Sequence, residues 1–255
     1  MKISQGVNRA PRTPDVSAVI TFHAEGVLAH PTLHSIERCR NFAEERGLSV
    51  EFVITLDNAD AETRRVVTQH PALRPNDQIH EVSFRDLSSC RNFAVAQSGG
   101  RYIGTFDGDD YFSKNWIATC VERIRGDGGK NIFHPELMLA FGGWNAYWWQ
   151  VDQLEEYYRP GALLTTNYWN ACAFAEREVF ENCPYQVSRV GEAGFGFEDW
   201  HWNCETIALG YVHRLARGTV RFERRKEGGS LNIAHQQAGA VIRASRFFDK
   251  GAPNV

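Results

Sequence analysis

The first half of the chain alternates short apolar segments with longer amphipathic ones, and this alternation constrains the fold more than any other feature. The apolar segments have the length of strands, and the segments between them have the apolar spacing of helices. The predicted strands are 16–22, 51–56, 79–84 and 102–106, and the predicted helices are 31–46, 61–70 and 87–97. Strands and helices in alternation predict an α/β fold, in which a mostly parallel sheet is flanked by helices.

The second half of the chain is less regular and is rich in aromatic residues. We predict strands at 171–175, 211–215 and 219–222, and helices at 176–181 and 198–209. The aromatic residues from Trp144 to Trp149 are typical of a core, but they are also suited to stacking against a sugar ring. We expect a single domain over residues 15–232, between a flexible segment at 1–14 and a C-terminal tail at 233–255.

Composition and charge exclude several classes of protein. The net charge is −3, from 28 basic and 31 acidic residues, whereas a general nucleic-acid-binding protein needs a basic face that neutralises phosphates. The six cysteines are scattered without a Cys-x-x-Cys pair, which favours reduced, buried thiols in a cytoplasmic protein. The N-terminal residues are polar, unlike a signal peptide, and no apolar run approaches the roughly 20 residues that span a membrane. The oligomeric state is left open.

The strongest local signal is the acidic segment Asp107-Gly108-Asp109-Asp110, which directly follows a predicted strand. Three carboxylates within four residues repel one another unless a cation lies among them, and a hard divalent ion prefers oxygen ligands. Glycine at position 108 is suited to a tight turn at the strand end. An exposed acidic turn is the alternative. Because ligands of parallel sheets bind beyond the carboxyl ends of the strands, we favour a metal site at Asp107 and Asp109.

Glu198 and Asp199 form a second candidate site at the start of a predicted helix. The helix dipole alone favours acidic residues there, so one carboxylate at this point needs no further explanation. The preceding residues 194–197 are unusual because they alternate glycine with phenylalanine. A carboxylate beside apolar rings has the raised pKa that a general base needs, so Asp199 and Glu198 are candidate catalytic residues.

Polar residues also follow the other predicted strands. His23 and Glu25 follow the first strand and Asp57 ends the second, so they reach the same edge of the sheet as Asp107. Asp57 is suited either to begin a turn or to accept a hydrogen bond from the base or ribose of a nucleotide. No His-Glu-x-x-His motif is present, so a dedicated zinc site is not expected.

These segments together resemble the inverting glycosyltransferases of family 2, which have the A-type, Rossmann-like fold of nucleotide-diphospho-sugar transferases. The resemblance runs from about residue 16 to about residue 231. Its most specific part is 89–110, where an Arg-Asn pair on a helix, a glycine before the strand and an Asp-x-Asp motif follow in the family's order and spacing. Residues 16–25 are similar to the donor-binding loop, 52–60 to the strand with the nucleobase-binding Asp, and 196–200 to the motif that carries the catalytic base.

The resemblance implies a role for each candidate residue. The nucleotide-sugar-binding half would be 15–112 and the acceptor-binding half 113–232. Mn²⁺ or Mg²⁺ would bind at Asp107 and Asp109, and Asp199, with Glu198 beside it, would take the proton from the acceptor hydroxyl. The residues that the resemblance implies for donor binding are Phe22, His23, Glu25, Asp57, Arg91, Asp107 and Gly108.

We therefore expect a metal-dependent, inverting glycosyltransferase of polysaccharide biosynthesis, with UDP as the donor nucleotide. The expected acceptor is a growing glycan or a glycolipid, and a glycolipid would bring the protein to the membrane surface. A nucleotidyltransferase is the first alternative, but the loop at 22–26 is neither glycine-rich nor basic. A non-catalytic sugar-binding domain is the second, but it would not need both acidic motifs. The Gln-x-x-Arg-Trp motif of processive synthases is absent.

Overall fold

The computed structural model describes residues 13–128, 130–188, 194–226 and 231–249, so most of the predicted flexible segment 1–14 lies outside the described residues. In the described part, nine strands form one sheet. The strands are β1 (Val16–Phe22), β2 (Val50–Asp57), β3 (Gln78–Val82), β4 (Tyr102–Asp107), β5 (Tyr111–Phe112), β6 (Asn131–Gly142), β7 (Ala146–Trp149), β8 (Phe174–Glu176) and β9 (Val212–Arg225). The helices are α1 (Ala29–Glu44), α2 (Ala61–Thr68), α3 (Leu87–Gln97), α4 (Trp116–Asp127), α5 (Arg177–Asn182), α6 (Glu198–Ala208), α7 (Leu231–Gln237) and α8 (Arg246–Asp249).

The first half of the chain forms the parallel part of the sheet. β3, β2, β1 and β4 lie side by side in that order, and all three pairings between them are parallel. Every residue of β1 and β2 is buried, which is typical of parallel strands with both faces covered. In the register, Thr21 lies beside Asp107, and Asp57 ends β2 beside Val82. The loops that follow β1, β2 and β4 therefore meet at one edge.

The second half completes the sheet with mixed pairings. β8 is antiparallel to β4, β6 follows it, and β9 lies parallel to β6 and antiparallel to β5. β7 pairs with β6 as an antiparallel hairpin strand. Most paired residues lie in the four parallel pairings, so the predicted mostly parallel α/β sheet flanked by helices is confirmed.

β9 corrects the prediction of two closing strands at 211–215 and 219–222. Residues Val212–Arg225 form one strand of 14 residues. The residues between the two predicted strands, 216–218, lie within β9, where Gly218 has a φ of +75° and the register with β6 shifts between Pro135 and Leu137. A bulge of this kind bends a strand without ending it. As a result, β9 reaches the acidic turn after β4.

The aromatic residues divide between the core and the surface. Trp116, Trp169 and Trp202 are almost completely buried. By contrast, Trp144, Tyr147 and Trp149 are each more than half exposed, so the first of the two alternatives, a place in the core, does not apply to these three. Their neighbour Trp148 points the other way along β7 and lines the cleft described below.

Three further expectations concern thiols, membranes and the C-terminal residues. All six cysteines are buried free thiols, as predicted. None of the helices in the described ranges is long and apolar enough to cross a membrane. Of the residues assigned to a tail, the described ones, 233–249, pack onto the domain, where Phe247 of α8 is buried in a cluster with Trp169 and Leu163.

Candidate active site

A cleft of about 1160 Å³ lies at the carboxyl ends of β1, β2 and β4. Its opposite wall is formed by residues 165–171, the start of α6, the end of β9 and α7. Every candidate site residue from the sequence lines this cleft: Phe22, His23, Glu25, Asp57, Arg91, Asp107, Gly108, Asp109, Glu198 and Asp199. The structure therefore brings both acidic motifs into one cavity.

Asp107 lies between two buried guanidinium groups. Its Oδ1 accepts a hydrogen bond from Arg91 of α3 at 2.8 Å, and its Oδ2 accepts one from Arg221 of β9 at 2.7 Å. Burial works to raise the pKa of Asp107, but the two guanidinium groups outweigh it and hold that pKa below its ordinary value. Asp107 is therefore ionised and fixed in place.

Gly108 is required by close packing. A Cβ at this position would lie 2.5 Å from Cδ1 of Phe22 and 2.7 Å from the carbonyl oxygen of Thr21. The chain does turn here, with the N–H of Asp110 3.5 Å from the carbonyl oxygen of Asp107. The predicted turn is therefore present, but the φ of Gly108 is not positive, so it is the close packing and not the turn that requires a glycine. The glycine instead lets the acidic turn lie directly against the end of β1.

Asp109 lies at the cleft surface beside Lys226. Nζ of Lys226 is 2.7 Å from Oδ2 of Asp109. Glu25 is close to both, and its Oε2 accepts a hydrogen bond from the backbone N–H of His23 at 2.6 Å. Burial raises the pKa of Glu25, and the charge of Asp109 adds to this effect while Lys226 opposes it. This corner of the cleft therefore holds two carboxylates and one ammonium group.

Asp57 supports the backbone of a neighbouring loop. Its Oδ1 accepts hydrogen bonds from the N–H groups of Phe84, at 2.8 Å, and Arg85, at 3.1 Å. Arg85 has a φ of 53°, a conformation that a long side chain rarely adopts unless its surroundings hold it. Nδ1 of His23 donates to the carbonyl oxygen of Asp57 at 2.5 Å, which ties the ends of β1 and β2 together. Asp57 therefore stabilises the loop at 84–85, and its role in nucleotide binding stays a prediction.

Glu198 and Asp199 open α6 and have different partners. Oε1 of the buried Glu198 accepts a hydrogen bond from Arg91 at 3.1 Å. Oδ2 of Asp199 accepts one from Nδ2 of Asn167 at 3.2 Å, and its Oδ1 accepts one from the N–H of Trp200 at 2.8 Å. Burial, reinforced by the charge of Glu198, raises the pKa of Asp199 to about 7. Near neutral pH, Asp199 is able to take or release a proton.

The backbone before α6 is held by α7. Phe197 has a φ of 54° and a ψ of 54°, and its N–H donates to Nδ1 of His235 at 3.1 Å. A Cβ on Gly196 would lie 2.8 Å from the same imidazole ring, so glycine is required there. His235 is buried, and its Nε2 has no hydrogen-bond partner among the described residues. The predicted tail at 233–255 therefore contributes a residue to the cleft wall.

Four residues of this site were missed by sequence reasoning: Asn167, Arg221, Lys226 and His235. A signal existed for Arg221, since a charged residue within an apolar predicted strand calls for a buried partner. Asn167 lies in an irregular segment, and Lys226 and His235 follow the last predicted strand, where no periodic pattern indicates a contact.

The model of the family described as "Glycosyl transferase family 2" matches residues 17–183, which is more than half of the 255 residues. The chain belongs to glycosyl transferase family 2. The matched segment includes the acidic turn after β4 and ends before Glu198 and Asp199, so the second acidic motif of this family 2 chain lies outside it.

Solved structures show that the family 2 chain has an A-type glycosyltransferase fold. S. aureus TarS 1–349 in complex with UDP-GlcNAc superposes with a TM-score of 0.63 at 14% identity, covering 86% of this chain and 60% of that chain. Mannosyltransferase PcManGT from Pyrobaculum calidifontis, in complex with GDP-Man and Mn²⁺, superposes with a TM-score of 0.59 at 16% identity, covering 89% and 62%. Escherichia coli chondroitin synthase is 28% identical over 93 residues, which are 36% of this chain and 14% of that protein. The family 2 chain thus spans about three-fifths of the solved structures and a small part of the synthase.

Proposed function

We propose that this family 2 chain is an inverting glycosyltransferase, which moves a sugar from a nucleotide diphosphate to an acceptor hydroxyl. The observation that supports it best is the contrast between two carboxylates in one cleft. Arg91 and Arg221 hold Asp107 ionised, whereas burial raises the pKa of Asp199 to about 7. Two carboxylates whose environments separate their pKa values in this way are suited to different tasks: one stays negatively charged, and the other takes up and releases a proton.

The donor is proposed to bind where β1 and β4 lie side by side. The strand order reverses at this point, and ligands of open α/β sheets bind in the crevice that the reversal creates. Phe22, His23 and Asp57 line the part of the cleft proposed for the nucleoside, and Asp109 the part proposed for the diphosphate. We propose UDP as the nucleotide, because TarS was solved with UDP-GlcNAc; GDP is the alternative that the PcManGT complex suggests.

The acidic turn suits Mn²⁺ or Mg²⁺ as a partner of the diphosphate. Within the described residues, no group of three or more His, Cys, Asp and Glu side chains is placed to hold an ion alone. These ions characteristically bind through one or two carboxylates, while phosphate oxygens and waters supply the other ligands. Asp109 lies at the cleft surface and fits that requirement, and Asp107 is two residues before it, at the end of β4. When bound, the ion supplies charge neutralisation for the leaving nucleoside diphosphate.

Asp199 is proposed as the general base. The acceptor oxygen forms a bond to the anomeric carbon as the bond to the diphosphate oxygen breaks on the opposite face, and the acceptor proton passes to Asp199. Asn167 orients the Asp199 carboxylate, while Arg91 holds the neighbouring Glu198 in the ion-pair network around β4. The rings of Trp148 and Trp200 also line the cleft and suit the faces of a glycan or glycolipid sugar.

Release of nucleoside diphosphate from UDP-sugars and GDP-sugars in Mn²⁺ tests the proposal. We expect release by the wild type and its loss in excess chelator. A nucleotidyltransferase would instead form pyrophosphate from a nucleoside triphosphate and a sugar phosphate, and a sugar-binding domain would release neither product. Either of those results would contradict the proposed transfer.

A further inference from the structure

One cationic side chain of the cleft, that of Lys226, lies directly beside Asp109, the proposed metal ligand. Nζ of Lys226 is 2.7 Å from Oδ2 of Asp109, and each side chain keeps about one-fifth of its surface exposed, at 23% and 20%. Burial works to lower the pKa of Lys226, but the carboxylates of Asp109 and, after it, Glu25 outweigh this effect and hold that pKa above its ordinary value. The ammonium group therefore neutralises the carboxylate that a divalent ion would need.

Four arginines of the cleft, at positions 91, 221, 224 and 225, are fixed by several partners each. Arg91 and Arg221 are buried, and each binds two carboxylates. Arg224 stacks on two aromatic rings and donates to the carbonyl oxygen of Asp109 at 3.3 Å, and Arg225 stacks on two tryptophans and pairs with Glu223. Among the described residues, Lys226 has a single ion-pair partner, Asp109. Its flexible four-carbon stem and three donors let it change partners most easily.

We propose that Lys226 exchanges partners when the donor binds: its ammonium group leaves Asp109 for an oxygen of the diphosphate, which frees Asp109 for the divalent ion. This inference rests on the proposed function. A divalent ion and an ammonium group repel each other, so they compete for Asp109, whose Oδ2 the ammonium group already contacts. The diphosphate brings the negative charge that the displaced ammonium group then binds. Lys226 is therefore a donor-binding residue, and it also ensures that the metal binds firmly only together with the nucleotide.

The exchange predicts effects of opposite sign when Lys226 is replaced. In Lys226→Met, Asp109 has lost its counterion, so Mn²⁺ alone should bind at least about 5-fold more tightly than to the wild type. UDP in the presence of Mn²⁺ should bind roughly 10- to 150-fold more weakly, because a hydrogen bond to a charged group is lost. Uridine, which has no phosphate, should bind equally to both proteins. A merely structural role for Lys226 would weaken all three ligands together.

Isothermal titration with Mn²⁺, UDP, GDP and uridine tests the inference on the full chain, without turnover. Lys226→Arg keeps the charge and should keep UDP affinity within a few-fold, and Lys130→Met, at the opposite end of the sheet, is the matched control. Equal UDP affinity in the wild type and Lys226→Met, or Mn²⁺ affinity that is unchanged or lower in that variant, overturns the exchange while the proposed function stands. If the wild type binds neither UDP nor GDP with Mn²⁺, the proposed function and the exchange both fail.

Discussion

Replacing Asp199 with asparagine is expected to slow turnover strongly and, at the same time, to stabilise the folded protein. Burial and the charge of Glu198 raise the pKa of Asp199 to about 7, so its carboxylate is harder to ionise in the folded protein than in the unfolded chain. Asparagine has almost the same shape but carries no charge and takes no proton. Loss of a general base typically costs about 10²–10⁴ in rate.

The size of the stabilisation follows from the pKa difference. The ordinary pKa of the carboxyl is 3.8, so a pKa of about 7 is a shift of about 3 pKa units, each worth about 1.4 kcal/mol in the free energy of unfolding. The ionised carboxylate of Asp199 thus lowers the free energy of unfolding by at most about 4 kcal/mol at pH 7 and above. In the asparagine variant, an amide nitrogen replaces Oδ2, and it cannot accept the hydrogen bond that Asn167 donates. Loss of this hydrogen bond lowers the free energy of unfolding by about 1 kcal/mol. A net gain of roughly 2–3 kcal/mol remains.

The pH dependence of this gain has a defined sign. Because the folded pKa is raised, the folded protein binds more protons than the unfolded chain, so wild-type stability falls as pH rises from about 4 to about 7. The advantage of Asp199→Asn should therefore be present at pH 7.5 and absent near pH 4. Wild-type turnover should fall as pH drops below about 7, because the base becomes protonated.

Thermal unfolding of the wild type and Asp199→Asn at pH 7.5 and pH 4 measures the effect. A gain of this size corresponds to a rise in Tm of roughly 4–12 °C for a chain of this length. Glu198→Gln is the control, since it weakens the ion pair with buried Arg91 and should lower Tm. An Asp199→Asn protein that unfolds at or below the wild-type temperature at pH 7.5, or that turns over within a few-fold of wild type, would refute the reasoning.

Four other changes have defined outcomes. Gly108→Ala should lower the free energy of unfolding by about 1–3 kcal/mol, because its Cβ meets Phe22; wild-type stability in urea would contradict the packing argument. Asp57→Ala should weaken UDP binding roughly 10- to 150-fold, whereas unchanged affinity by titration would limit Asp57 to its loop contacts. His235→Ala should lower kcat by roughly 10²-fold with little change in UDP affinity, because the turn at Phe197 loses its acceptor; a normal kcat argues against that role. Excess chelator should abolish turnover, which Mn²⁺ or Mg²⁺ should restore, and full activity in chelator would exclude the metal.

The parallel half of the fold was predictable because local signals define its elements. β1 and α3 have the predicted bounds, Val16–Phe22 and Leu87–Gln97. For α3, the side chain of Asp86 caps the start, and Gly99 follows the end. The second half depends on pairings between distant segments. β9 continues through Gly218 because it pairs with β6 both before the bulge, at Ala216, and after it, at Val220. No local pattern in the sequence encodes these pairings.

The same contrast explains which site residues could be predicted. The carboxylates follow strands or open a helix, so their positions along the chain indicate their positions in the fold. Their cationic partners come from distant segments: Arg221 is 114 residues from Asp107 along the chain, yet it donates to that carboxylate at 2.7 Å. Whether Asp109 faces water, a metal or an ammonium group therefore depends on where β9 ends, which only the folded chain determines.

The configuration of the released sugar tests the proposed single displacement most directly. Without an acceptor, water takes the place of the acceptor hydroxyl, and proton NMR during the first minutes identifies the anomer before mutarotation equilibrates it. We predict that the sugar released from the donor, UDP-linked or GDP-linked, has the anomeric configuration opposite to that in the donor, and that Asp199→Asn releases it at least about 10²-fold more slowly. Release with the configuration of the donor, or equal release by Asp199→Asn, would contradict an inverting displacement with Asp199 as its base.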